Sequence, residues 1–294
     1  MHPLDRSRTN LAAVLALALL AVSWGAIPLI VRSGVPPTQL VAMRVTLGGV
    51  VLLVAAALTG RLRWPETDRW RMVILGVMLT AHWLTFFLAI QWTTVAVALA
   101  VVYLGPVLAV VLSGPILGER GGRRVFVGLG LAVTGTLLVV RPGSGATTTG
   151  LVIALVSGAL LAALMLIGAP AARSLGGLTV ATWELVVAAV LLAPFSVEAV
   201  RESAEYWPQF LLLGALFTGV AGVVYWSAMG RLPVAVVGVI MYLEPASAVV
   251  WATLFLDETP DALAWVGVAF VVAGGVLAAI EGADTEAAGA PAVL

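Results

Sequence analysis

The chain reads as an all-α integral membrane protein of ten transmembrane helices, built as two inverted five-helix repeats. Three observations predict this. Hydrophobic residues make up 62% of the chain and charged residues 10%, against about 25% charged in an ordinary soluble domain. A single soluble core cannot bury that much apolar surface, so the natural solvent is lipid. The apolar residues also fall into a series of runs of roughly the 20 residues needed to span a bilayer. Finally, one stretch occurs twice: VYLGPVLAVVLSGPILGE at 102–119 is echoed by MYLEPASAVVWATLFLDE at 241–258.

The echo keeps a fixed register. Tyr103-Leu104 pairs with Tyr242-Leu243, Pro106 with Pro245, Glu119 with Glu258 and Gly135 with Gly274, each 139 apart (242 − 103 = 139). Apolar matches arise by chance in so Ala/Val/Leu-rich a chain, so the Tyr, Pro, Glu and Gly pairs carry the weight. A long period seen twice means a duplicated half-protein and not a solenoid of short repeats.

The expected spans are 10–31, 39–59, 70–90, 94–117, 125–140, 150–172, 179–196, 207–229, 234–256 and 262–280. They divide the chain into a tail at 1–9, a first repeat at 10–141, a second at 150–280, and an Ala/Gly-rich acidic tail at 281–294 that reads as disordered. Arg6 and Arg8 before an apolar run also fit a signal peptide, but the run is long for one and no soluble chain follows it. Breakers such as Gly34-Val35-Pro36-Pro37 and Arg141-Pro142-Gly143 mark the connections.

Arginine placement sets the orientation. With the N-terminus in the cytoplasm, the inner side receives Arg6, Arg8, Arg61, Arg63, Arg69, Arg71, Arg120, Arg123, Arg124, Arg173 and Arg231, and the outer side only Arg32, Arg141 and Arg201. Both termini are therefore expected inside. Five spans per copy is an odd number, so the copies must be inverted with respect to each other. Inverted repeats are the build of many secondary transporters, which bind substrate near mid-membrane between the copies.

Two five-helix copies, the early Trp24-Gly25, and Pro106 followed thirteen residues later by the Glu of Leu117-Gly118-Glu119 resemble the EamA family of the drug/metabolite transporter superfamily. The segment 89–96, AIQWTTVA, is similar to that family's junction between helices 3 and 4. The resemblance covers roughly residues 10 to 280. It implies an inner-membrane carrier, usually an exporter of amino acids or other small metabolites, with a cavity lined by helices 1, 3, 4, 6, 8 and 9. The second copy has Asp257-Glu258 where the pattern has Gly-Glu.

Ionisable side chains within lipid cost about 2.5–3.5 kcal/mol at a helix centre on insertion scales. Four lie within the spans: Arg44, His82, Glu184 and Glu244. Arg44 is shallow enough to snorkel to the outer interface, and Glu184 reads as a helix-end or interface residue or a substrate contact. His82 shares a helical stripe with Phe86; it is either hydrogen-bonded to a neighbouring helix or a cavity residue. Trp64, Trp70 and Trp207 suit an interfacial belt. Tyr103 and Tyr242 do not, because they are near mid-span and their hydroxyls need a buried partner. As repeat mates they should lie across the pseudo-twofold axis from one another. The expected substrate-contact set is Trp24, His82, Trp83, Phe86, Tyr103, Tyr225, Trp226, Tyr242 and Glu244.

Glu244 replaces Gly105 of the first copy and precedes Pro245, which opens its helix locally. That makes it the candidate proton-coupling residue, with a neutral hydrogen-bonded carboxyl or a simple holder of a substrate amine as the alternatives. Prolines at 28, 106, 115, 170, 194 and 245 interrupt spans, and Gly48-Gly49 and Gly128-Leu129-Gly130 read as close helix contacts. Glu119 and Glu258 end their helices where the dipole disfavours acid; Arg120, Arg123 and Arg124 are placed to offset this for the first.

The expected partners are a small amphipathic metabolite such as a neutral or aromatic amino acid, the lipid bilayer and protons, with the chain a monomer or homodimer. Zero net charge without a basic block argues against nucleic acid. The absence of Cys excludes disulfides and thiolate metal sites, and the absence of Lys excludes a retinal Schiff base. No cofactor or metal is expected. An intramembrane enzyme would need an Asp pair, a Ser/His dyad or a His-Glu metal motif, yet no Asp lies in any span and His2 and His82 are far apart. A channel or uncoupled facilitator is the nearer rival.

Overall fold

The computed structural model describes residues 3–27, 36–93, 95–119, 121–140, 147–202, 204–255 and 260–287, and all regular structure among them is helical. The helices are α1 (Pro3–Trp24), α2 (Pro37–Leu58), α3 (Arg69–Trp92), α4 (Val95–Val102), α5 (Leu104–Leu117), α6 (Arg123–Val140), α7 (Thr148–Leu175), α8 (Gly177–Leu191), α9 (Ala193–Glu202), α10 (Trp207–Leu211), α11 (Ala221–Met229), α12 (Val234–Ile240), α13 (Leu243–Phe255) and α14 (Ala262–Ala287). A one-turn 3₁₀ helix (Ala204–Tyr206) precedes α10, and a π-helical stretch (Leu212–Val220) joins α10 to α11.

By length and composition, seven helical stretches are able to cross a membrane: Pro37–Leu58, Arg69–Trp92, Val97–Leu117, Thr148–Leu175, Trp207–Met229, Val234–Phe255 and Ala262–Glu281. Taken as one bent span, α8 with α9 makes an eighth. The chain is a multi-pass membrane protein. Mean hydropathy of these stretches runs from 1.8 to 2.7, and much of their apolar surface faces outward, as lipid requires.

Several expected spans differ in detail. The run at 179–196 is not straight: α8 and α9 meet at 72°, with Pro194 in the first turn of α9, where its missing N–H costs nothing. The runs at 94–117 and 234–256 each break near the middle, at Tyr103 and at Met241-Tyr242. Helix α1 starts at Pro3, within the expected tail, and ends at Trp24 in a turn through Gly25-Ala26. Helix α14 continues past Glu281 to Ala287, so the acidic tail is helical that far. Pro28 and Glu258 lie outside the described residues.

The packing has a reciprocal pattern. A Cβ added at Gly128 would lie 2.7 Å from the Gly274 carbonyl oxygen, and one at Gly135 would lie 2.5 Å from that of Gly267. Contacts that climb one helix while descending the other make α6 and α14 antiparallel. Since 128 + 139 = 267 and 135 + 139 = 274, each glycine meets the repeat mate of the other. Only glycine permits backbones this close, and close backbone contact drives helix association where no hydrophobic gain is on offer. The same exchange recurs elsewhere: α2 packs on α8 and α5 on α12, while α5 packs on α7 as α13 packs on α1.

Gly130 differs, because a Cβ there would meet nothing within 4 Å. This corrects the expectation that Gly128 and Gly130 both mark a close contact. Gly130→Ala should therefore raise the stability of the purified protein by about 0.5–1 kcal/mol through helix propensity. Gly274→Ala should lower it by about 1–3 kcal/mol through overpacking. Thermal unfolding in detergent checks the pair, and the opposite order would refute the glycine seam.

Candidate functional site

The two mid-helix breaks are brought together. Pro106 and Pro245 have no N–H to offer the carbonyls four residues back, at Val102 and Met241, and the chain is non-helical at Tyr103 and at Met241-Tyr242. A break within lipid exposes backbone acceptors that must find donors inside the protein. That of Met241 is taken locally by the Glu244 N–H at 3.1 Å, and across the two breaks the Tyr242 hydroxyl donates to the Tyr103 carbonyl at 2.5 Å. The rings pack edge to face with centroids 5.3 Å apart, and Tyr242 is 1% exposed. These repeat mates, expected to lie across the pseudo-twofold axis from one another, are thus in direct contact.

Glu244 lies two residues beyond this contact, in the first turn of α13. The break is what puts it at a helix N-terminus, where the dipole favours an acid. Its carboxyl is within interaction range of the Tyr103 hydroxyl and the Arg44 guanidinium.

Arg44 does not snorkel. It is 6% exposed, its Nε donates to Thr218 Oγ1 at 3.2 Å, and its guanidinium carbon sits 4.4 Å from the Trp83 ring centroid. The side chain turns inward because an aromatic face, a hydroxyl and a carboxylate await it there. The π-helical stretch supplies two of the site's acceptors. The Phe217 carbonyl takes the Trp24 indole N–H at 3.0 Å, and Thr218 takes Arg44. Such stretches shift the helix register locally and recur at functional sites.

Gly25 explains the neighbouring Trp24-Gly25 pair. A Cβ there would lie 2.7 Å from the Glu244 carbonyl oxygen and 2.7 Å from the Ala248 nitrogen. The end of α1 thus presses directly on the first turn of α13. The Val22 carbonyl, left over at the end of α1, receives the Trp251 indole N–H at 2.7 Å.

The other expected contacts divide into two groups. Trp24, Tyr225 and Trp226 form a ladder, with centroids 6.1 and 5.1 Å apart. Trp226 is buried with its ring against Gly168 and donates to Glu184 Oε2 at 2.6 Å. That makes Glu184 an internal acceptor at 4% exposure and not an interface residue. His82 Nδ1 lies 2.9 Å from Ser157 Oγ, which in turn donates to the His82 carbonyl at 3.0 Å. This is the helix-to-helix bond that a lone buried histidine suggests. Phe86 stacks on it at 6.4 Å and tilts against Phe87 at 5.6 Å. The pairs Phe86-Phe87 and Tyr225-Trp226 are themselves repeat mates (225 − 86 = 139). Among the described residues no group of three His, Asp or Glu is arranged to hold a metal.

Glu119 lies at the end of α5 and joins parts of the second repeat. One carboxylate oxygen pairs with Arg173 at the end of α7, and the other accepts the Val234 N–H at the start of α12, at 2.8 Å. A foreign helix N-terminus thus offsets the dipole penalty at its own C-terminus. Arg173 thus offsets the charge of Glu119, the role expected of Arg120, Arg123 and Arg124, of which Arg120 lies outside the described residues. At the same end of the bundle, Asp68 accepts from Arg71 at 2.7 Å and from Ser174 at 3.2 Å.

Tyr242→Phe should leave the fold intact but remove the side-chain bond to the Tyr103 carbonyl. One buried hydrogen bond is worth about 0.5–1.5 kcal/mol. Thermal unfolding in detergent should show a loss of that size, and an unchanged midpoint would show that the bond does not hold the breaks together.

Comparison with known proteins agrees with this architecture. The chain is 29% identical over 258 residues to the threonine/homoserine exporter RhtA of Escherichia coli K12, covering 84% of this chain and 83% of the exporter. It is 32% identical over 140 residues to RhtA of Salmonella typhimurium SL1344, covering 46% of this chain and 47% of that one. A protein solved by crystallography superposes with a TM-score of 0.78 at 21% identity, across 91% of this chain and 98% of its own, and so shares the fold. The model of the EamA-like transporter family matches twice, at residues 11–141 and 148–280. The chain belongs to the EamA-like transporter family.

Proposed function

We propose that this protein is a secondary transporter of the inner membrane that exports small neutral or aromatic amino acids, or metabolites like them, by alternating access. The observation that carries this is the contact of Tyr103 with Tyr242 where two broken helices meet, with Glu244 beside it. Discontinuous helices at a repeat interface are how such carriers present polar groups at mid-membrane. The exporter relatives, named for threonine and homoserine, support small neutral amino acids as cargo. Aromatic walls with few fixed charges support the same class over a sugar phosphate, which would call for several basic residues.

Ten spans in two inverted repeats, with both termini cytoplasmic, is the arrangement we adopt. The reciprocal glycine contacts of α6 with α14 and the exchanged pairs α5–α7 and α13–α1 support the inversion. The arginine distribution supports a cytoplasmic position for the Glu119 end. Glu119 and Asp68 then close the inner side, and opening towards the cytoplasm has to release Arg173, Ser174 and the Val234 N–H.

Transport is coupled to protons through Glu244. It is the one carboxyl at the meeting of the breaks, and rocking the repeats exposes it first to one side and then to the other. A carboxyl moved between dry and wet settings changes its proton affinity, which is enough to take up a proton outside and release it inside.

Reconstituted Glu244→Gln tests this. With labelled threonine, homoserine and phenylalanine as cargo, the variant should still exchange substrate across the membrane, with weaker binding, but lose uphill accumulation under an imposed pH gradient. Accumulation at the wild-type level would remove Glu244 as the coupling site. Wild-type flux that is only ever downhill would mark a facilitator instead.

A further inference from the structure

Arg44 and Glu244 are opposite charges sunk in the same interior, within electrostatic range of each other. They are not joined: among the described residues no ion pair of contact length links them, and there the direct contacts of the guanidinium are Thr218 through Nε and the face of Trp83. A pair that served only to neutralise itself would close up, because separated charges in a low dielectric forgo the attraction that offsets their desolvation. The gap is therefore the feature to explain.

Guanidinium geometry narrows what fills it. Arginine carries five N–H donors in a planar fork that matches a carboxylate in bidentate fashion. Here Trp83 covers one face of the plane and Nε is engaged by Thr218, so the terminal nitrogens present the open edge. An anion alone at that edge would face the Glu244 carboxyl. A molecule with a carboxylate and an ammonium close together satisfies both sides.

We infer that Arg44 is the carboxylate receptor of the transport site, paired with Glu244 as the ammonium receptor, so that the cargo is a zwitterionic α-amino acid with a free carboxylate. The inference rests on the amino-acid exporter reading above and deepens it. It makes Arg44, which its position in the span marks as an interfacial anchor, the residue that selects cargo. Amines, amino-acid amides and acids without an amine are all rejected, because each leaves one of the two buried charges alone.

The test compares each acid with its carboxamide on the same protein. Proteoliposomes of the wild type are loaded with threonine, leucine or phenylalanine. Counterflow of the labelled acid is then inhibited by the unlabelled acid or by its amide. For any acid that is carried, the amide should inhibit about 10- to 100-fold more weakly, the range expected for losing hydrogen bonds between charged partners. In Arg44→Gln that discrimination should fall to within about threefold, and Arg44→Lys, which keeps the charge but not the fork, should lie between. Equal inhibition by acid and amide in the wild type would overturn the assignment without any variant having to fold. Discrimination preserved in Arg44→Gln would overturn it too. A wild type that moves none of the three acids would instead overturn the exporter reading, and this inference with it.

Discussion

In hydrocarbon, every break in a helix must be repaired by a donor from elsewhere in the protein. The rest of this structure depends on that constraint. Two helices are broken at equivalent places, and a bond from one reaches the other: the Tyr242 hydroxyl closes on the Tyr103 carbonyl. The breaks therefore have to be neighbours, which brings α5 and α12 together and fixes where the two halves meet. The same break turns Glu244 from a mid-helix residue into a first-turn residue, where a carboxylate is tolerated. The proposed binding chemistry and helix termination share one cause.

The glycines act on the same geometry from outside. Gly25 lets α1 press on the backbone of α13 beside Glu244, and the Gly128–Gly274 and Gly135–Gly267 contacts hold α6 against α14. Lipid gives helices no hydrophobic reason to associate, so backbone approach and interhelical hydrogen bonds carry the load. Trp24 to the Phe217 carbonyl, Trp251 to the Val22 carbonyl and His82 with Ser157 are such bonds, each joining helices distant in sequence.

Much of this was legible in the sequence, because rare residues in an apolar chain are conspicuous. Tyr103 and Tyr242 stood out as mid-span hydroxyls at equal repeat positions, and they touch. Glu244 stood out because the repeat fails there. Arg44 was misread because depth along a span says nothing of which way a long side chain turns, and its partners Trp83, Thr218 and Glu244 come from three other helical segments. Glu119 was paired with the nearest arginines in the chain, whereas Arg173 reaches it from α7. The π-helical stretch that presents Phe217 and Thr218 has no sequence signal, since Leu212–Val220 reads as ordinary apolar helix. Local pattern revealed which residues matter, and nonlocal packing decided what they do.

Inversion of the two halves is the claim from which the rest follows, and repeat mates test it most directly. Arg63 and Glu202 are 139 positions apart and occupy corresponding connections in the two halves. The chain has no native cysteine, so single Cys substitutions at each can be labelled with a membrane-impermeant maleimide without background. The account predicts labelling of the position-202 variant in intact cells, and of the position-63 variant only after permeabilisation. Labelling of both from the same side would contradict it.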